Sequence, residues 1–119
     1  MSRDSKTQEI LDRYAAGDRD FRDFDLDDRF YDFSDSDLRG AIFTGSFILA
    51  SFRNADLRDA DFTDCNVKTC DFSGARLAHA TFSGSALDAA IFDGADLNGA
   101  SFQEASAQGH MFTKGEFPR

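Results

Sequence analysis

An all-β solenoid is the fold class this sequence predicts, on three observations. From Ala50 to Arg119 the chain divides without a gap into fourteen units of five residues. The third place of those units reads Phe, Leu, Phe, Val, Phe, Leu, Phe, Leu, Phe, Leu, Phe, Ala, Phe, Phe, and the first place is Ala, Cys, Ser or Gly everywhere except His110. A period of five suits neither a helix of 3.6 residues per turn nor a plain strand of period two. It suits a chain that turns a corner every five residues, with the third residue pointing inward and the small first residue tucked at the corner.

The third observation is a longer period of twenty. If four units make one square coil, residues twenty apart stack. Wall one then carries Phe33, Phe52, Phe72, Phe92 and Phe112, and wall two Leu38, Leu57, Leu77, Leu97 and Phe117. Wall three carries Phe43, Phe62, Phe82 and Phe102, and wall four Ile48, Val67, Leu87 and Ala107. The columns are chemically uniform over most of their length, provided the coil from Phe33 to Phe52 is allowed nineteen residues. About five coils at the usual inter-strand spacing of roughly 4.8 Å make a rod on the order of 25 Å long. Its interior is expected to be filled by stacked Phe rings, with little room for water or ligand.

The N-terminal segment, residues 1–17, reads as a capping helix over about 6–16. Ser5-Lys-Thr-Gln8 has the form of a capping box, Ile10, Leu11, Tyr14 and Ala15 share one face, and Gly17 stands where helices end. So short a helix is marginal alone. Its expected role is to lay Ile10, Leu11 and Tyr14 over the open end of the first coil, since repeat arrays need capped ends.

Residues 18–119 form the repeat. The stretch 18–37 holds nine Asp in twenty residues, but Phe21, Phe24, Phe30, Tyr31 and Phe33 are interleaved with them, which excludes a disordered acidic tail. Phe21 and Leu26 read as the first inward residues. Leu26 to Phe33 is a step of seven, so two extra residues are expected to bulge near Asp28 and Arg29. A second irregularity lies in FTGSFILASF, where the register slips by one. The irregular stretches are thus 27–32 and 44–51. One of Phe47 and Ile48 faces the core, and the sequence leaves open which.

The units ADLRD (55–59), ADFTD (60–64) and ADLNG (95–99) carry the motif A-(D/N)-L-x-x. With most other units differing only by Phe for Leu, the chain from about residue 20 to 119 resembles the pentapeptide-repeat family. That resemblance implies a right-handed quadrilateral β-helix. YAAGDRDF (14–21) is also similar to the helix-to-first-coil entry of bacterial members. The family's quinolone-resistance members are acidic dimeric rods that resemble duplex DNA in shape and charge and engage DNA gyrase. The acidity is present here. A C-terminal dimerisation helix like theirs is not: the chain ends HMFTK GEFPR, in repeat register.

Composition narrows the function classes. Lys and Arg number 13 against 22 Asp and Glu, a net charge of -9. Such a chain is repelled by phosphates and is not expected to bind nucleic acid directly. The acid would attract a basic protein surface, or would simply keep rods from stacking on one another. Two cysteines, Cys65 and Cys70, both at small corner places, make no disulfide framework and lie on successive walls, too far apart for an easy bond. With His79 and His110 they make no metal-ligand spacing. MSRDSKTQEI contains no apolar run that would serve as a signal peptide, so a reduced cytoplasmic setting is expected. No nucleophile elbow, phosphate loop or cleft-bound carboxylate pair is evident. No catalytic residue, metal or cofactor is expected, and the chain is read as a non-enzyme.

Three surfaces remain as candidates. The first is an acidic strip on walls one and two, made of Asp32, Asp35, Asp37, Asp56, Asp59, Asp71, Asp93, Asp96 and Glu116. It would face a basic partner, or its members before each inward residue would only support local turns through hydrogen bonds to backbone. The second is an apolar contact at Phe47 and Leu49 on wall four. The third is the last coil, with Met111, Phe112 and Phe117 near an end that would be uncovered unless Pro118 and Arg119 fold over it. An open last coil invites a two-fold homodimer. The function read from these features is a non-catalytic interaction module, a rigid acidic rod for an unidentified protein partner. The alternatives are a DNA-mimicking modulator of DNA gyrase or another DNA-binding protein, and a purely structural domain.

Overall fold

The structure, a computed structural model, describes residues 3–118, so the outermost residues of the segments 1–17 and 18–119, Arg119 among them, lie outside the described residues. One helix, α1 (Ser5–Ala15), precedes four short strands: β1 (Asp25–Asp32), β2 (Phe47–Ser51), β3 (Ser106–Ala107) and β4 (His110–Met111). Most of the backbone between β2 and β3 is joined by single parallel bridges, because each wall is too brief for a longer strand. The bridges form four ladders. One runs Asp37–Asp56–Arg76–Asp96, a second Asp20–Ile42–Asp61–Thr81–Ser101, and a third Phe47–Asn66–Ala86–Ser106. The fourth runs Ser51–Asp71–Ile91, and the β1–β2 pair extends the third ladder where Asp25 meets Phe47 and the fourth where Asp32 meets Ser51. A chain that returns on itself in four parallel ladders is a β-helical solenoid.

Each corner is a four-residue turn. The N–H of the small first-place residue donates to the carbonyl of the preceding inward residue, as from Ala55 to Phe52, Ala60 to Leu57 and Ala75 to Phe72. The residue just before the corner must then adopt a left-handed conformation, and Asn54, Asp59, Asp64, Thr69 and His79 all do. Asn and Asp tolerate that region, whereas a β-branched residue does not. Thr69, with φ of 60°, is the poorest fit. Thr69→Gly is expected to raise unfolding stability by about 1 kcal/mol, read as a higher urea midpoint at unchanged slope.

The core is two columns of Phe rings at right angles. Along one column Phe33, Phe52, Phe72 and Phe92 stack at 5.4, 5.2 and 5.1 Å. Along the other Phe21, Phe43, Phe62, Phe82 and Phe102 stack at 5.6, 5.2, 4.8 and 4.9 Å. Each interior ring also meets the other column edge-on, as Phe72 meets Phe82 at 5.4 Å and 87°. This is the arrangement the ring quadrupole favours. The tilt between stacked rings is 5° at Phe62 and Phe82 and widens to 26° at Phe21 and Phe43, where the coil length is still irregular.

The irregular stretches have definite forms. Ile48 is buried and Phe47 is 49% exposed, so Ile48 holds the inward place. In β1, Leu26 pairs with Ile48 and Tyr31 with Ala50, so the extra residues lie between Leu26 and Tyr31. Tyr31 fills a corner place that elsewhere holds a small residue. It is fully buried, and its hydroxyl donates to Asp28, closing the bulge. The aromatic is admitted there because the bulge widens the corner.

α1 covers the first coil. Its cap is not the box expected at Ser5 and Gln8. Asp4 is the N-cap and accepts from the Lys6 N–H, while the Gln8 amide donates to Asp12 instead. Asp is as good a cap as Ser and stands one residue earlier. Ile10 is fully buried, and Leu11 and Tyr14 pack at its side. The helical segment also serves the free carbonyls of the first coil. Lys6 donates to Asp25, Arg3 to Asp32 and Ser34, Arg13 to Asp20, and the Tyr14 hydroxyl to Arg39. Arg13 lies over the Phe21 ring at 5.0 Å.

The expectation of repeat register to the end of the chain is corrected. After β3 the chain reverses through Gln108 and Gly109, and β4 pairs antiparallel with β3. Phe112 then exchanges backbone hydrogen bonds with residues 104–105 rather than entering the next coil. Consequently no stack of Phe112 on Phe92 forms among the described residues, and Phe117 meets Phe102 edge-on at 6.0 Å rather than joining the Leu column of wall two. The long dimension of the molecule is 37 Å, of which the coils are the middle part.

Candidate functional site

The acidic residues divide into two sets. In the place before each inward residue, a carboxylate accepts from the backbone N–H two positions on. Asp32 does so from Ser34, Asp37 from Arg39, Asp56 from Arg58, Asp71 from Ser73 and Asp96 from Asn98. Asp61 on wall three and Asn66 on wall four do the same. These side chains support the walls, which is the local role weighed above. Hydrogen bonds from Ser34 hold the Asp32 carboxyl below its ordinary range. The Arg58 side chain does the same for Asp56. Burial alone would raise Asp71, but hydrogen bonds from Ser73 and Arg53 outweigh it.

The second set has no hydrogen-bond partner among the described residues: Asp35, Asp59 and Asp93 of the expected strip, together with Asp64. These carboxylates are exposed. Wall two is also less acidic than its Asp residues suggest, because Arg39, Arg58 and Arg76 stand on it, and Arg58 clasps Asp56 at 2.6 and 2.9 Å. Wall three carries Asp20, Asp23, Asp61, Asp64 and Glu104, with Arg22 the basic residue beside Asp20. Spacing does not single out this acid, because Thr and Ser share the outward places of that wall. Glu116 lies apart from all of these. It accepts from the Thr113 N–H and pairs with His110 at 2.7 Å, contacts that keep its carboxyl low.

On wall four, Phe47 is exposed, Leu49 half-buried, and a hollow of about 150 Å³ lies between them, Asp27, Asn66 and Lys68. Phe30, on the bulge of β1, is 54% exposed. Only its place among acidic residues had marked it. At the far end Met111 and Phe117 are exposed but Phe112 is 7% exposed. The expected dimer end is therefore not three open residues, since the hairpin turns Phe112 into the core.

Cys65 and Cys70 are free and buried. Each thiol donates to the carbonyl of an inward residue one coil earlier, Cys65 to Phe43 at 3.0 Å and Cys70 to Ile48 at 3.2 Å. Burial pushes both thiols up from 9.0 to about 12. A raised acid stabilises the fold fully below its unfolded value, and that contribution is lost as pH rises through its folded value. Stability is therefore expected to fall between pH 9 and about 12. The double variant Cys65→Ala, Cys70→Ala flattens that slope, leaving the part due to Tyr31, which burial raises to about 12. Denaturant midpoints across this range check it.

Four parallel ladders around a filled aromatic core define a non-globular repeat solenoid. The chain belongs to the pentapeptide-repeat family. The description "Pentapeptide repeats (9 copies)" matches residues 32–76, and "Pentapeptide repeats (8 copies)" matches 70–106 and 80–114. A pentapeptide repeat protein of Nostoc PCC 7120 is 25% identical over 92% of this chain and 87% of its own, with a TM-score of 0.51. One from the Arabidopsis thaliana thylakoid lumen is 32% identical over 71% of this chain and 68% of its own, with a TM-score of 0.38. QnrB1, a plasmid-mediated fluoroquinolone resistance protein, is 25% identical over 73% of this chain and 53% of its own, at a TM-score of 0.35. No curated protein sequence matches the chain. No helix among the described residues is long and apolar enough to cross a membrane.

Proposed function

We propose that this chain is a non-catalytic protein-interaction module, a right-handed four-sided β-helix that offers rigid acidic walls to a basic protein surface. The observation that carries the reading is the second set of carboxylates. Asp35, Asp59, Asp64 and Asp93 are exposed, and among the described residues their carboxylates accept no hydrogen bond from the walls. The rod holds them on a fixed lattice, so their field reaches a partner without an ordering cost. Asp35, Asp59 and Asp64 stand at left-handed corners, a place that Asn fills as well, so the fold does not call for their charge.

Affinity capture from the native host tests the reading. The triple variant Asp35→Asn, Asp59→Asn, Asp64→Asn keeps residues that accept a left-handed backbone while removing three charges. The wild type is expected to retain a partner that the variant loses, with retention falling as salt rises. Equal retention by both proteins would overturn the acidic-wall reading. The same pair in a DNA gyrase supercoiling reaction distinguishes duplex mimicry. Inhibition by the wild type that the variant lacks would assign the partner as gyrase.

A further inference from the structure

At the distal end of the rod, walls one and two have no coil beyond them among the described residues. In the interior, each coil donates to the next in a fixed pattern: Phe72 to Ile91, Gly74 to Asp93, Leu77 to Asp96 and His79 to Asn98. The equivalent donors one coil later are the N–H groups of Phe92, Gly94, Leu97 and Gly99, and no acceptor meets them among the described residues. The acceptors Ala90 and Ala95 are likewise unused, whereas their counterparts Cys70 and Ala75 accept from Ile91 and Asp96. The hairpin pairs with residues 104–107, which closes wall four and the last corner of wall three. A groove of about 350 Å³ lies beside the open walls, with Leu87, Phe92, Ala107, Phe112 and Phe117 among its lining.

We infer that this edge is a strand-addition site for an extended segment of a partner polypeptide. The backbone groups left over are those a parallel strand uses, so the segment continues wall one and wall two as a further coil. Its inward residue stacks on Phe92 and enters the groove, which takes a large apolar side chain. Its outward residues are basic, because Asp93 and Asp96 stand on these two walls and Glu116 lines the groove. This site lies at the end of the rod and shares Asp93 with the acidic set, but the variant that tests the acidic walls leaves Asp93 in place, so the two readings fail separately.

The probe is a capped synthetic peptide, AKFKGAKLKG, two units of the repeat with lysine at the outward places. Titrated into the full-length protein, it is expected to bind saturably and to shift the amide resonances of Phe92, Gly94, Leu97 and Gly99. The peptide AKDKGAKLKG is expected to bind on the order of thirtyfold more weakly, as for loss of a central apolar anchor. Ala107→Trp, which fills the groove, is expected to weaken binding of the first peptide while the melting temperature holds. Absence of binding, or binding with shifts elsewhere on the rod, overturns the inference. So does a two-chain species whose formation displaces the peptide, because a second copy would then occupy the edge.

Discussion

Phe72→Ala is expected to lower unfolding stability by about 3–5 kcal/mol, a large fraction of the roughly 5–15 kcal/mol that holds a domain folded. Phe72 is fully buried and sits at the crossing of both columns. It stacks on Phe52 and Phe92 at 5.2 and 5.1 Å, and meets Phe62 and Phe82 edge-on at 5.7 and 5.4 Å. Four ring contacts vanish with one side chain. The walls cannot close on the cavity, because each is held in register by bridges to the coils on both sides, Ser51 to Asp71 and Asp71 to Ile91. Phe72→Leu keeps most of the volume, and Leu already fills the inward place of wall two, so it is expected to cost less than about 1.5 kcal/mol. Urea unfolding of the two variants measures the difference. Equal effects would mean that the loss lies in the ring contacts themselves and that filled space contributes little.

Ile10→Ala is expected to cost about 2–5 kcal/mol, and its effect should be local first. Thr7 and Ile10 are the buried α1 side chains, and Ile10 is the apolar one that joins the core. Around it the cap is polar: Arg3, Lys6, Arg13 and Tyr14 satisfy carbonyls of the first coil. Loosening the helix both uncovers Phe21 and Phe33 and leaves those carbonyls to water. In a repeat array stability is nearest-neighbour, so the loss spreads from the capped end. Amide exchange in the variant should accelerate at Phe21, Phe33 and Leu38 before it does at Phe82. Uniform acceleration along the rod would show that the helix stabilises the array as one unit.

Much of this architecture is legible in the chain because the repeat writes side-chain size at every fifth residue. The Phe columns at Phe52, Phe72 and Phe92 follow from that alone. What was not legible has physical causes. Phe47 and Ile48 are both large and apolar, and only the pairing of Ile48 with Leu26 in β1 decides between them. Tyr31 looks like one more aromatic among acids, and its corner place depends on a bulge that spacing counts but does not shape. At the distal end, Gln108-Gly109 reads as the close of an ordinary unit, since Gly ends many units. The reversal there depends on antiparallel pairing between β3 and β4, which no period predicts. The acidic strip was legible as charge but not as role. Asp56 and Asp59 are near neighbours in sequence, yet one caps a turn and pairs with Arg58 while the other is free in solvent.

The central claim is that α1 closes the array at one end and that at the other, among the described residues, walls one and two have no strand beyond them. Native-state amide hydrogen exchange tests it most directly, since protection follows hydrogen bonding in the ladders. The account predicts strong protection at Phe52, Leu57, Phe62, Phe72, Leu77 and Phe82, and protection at Phe33 and Leu38 under the helix. It predicts fast exchange at Phe92, Gly94, Leu97 and Gly99. Protection of those last four amides equal to that of Phe72 and Leu77 would contradict it.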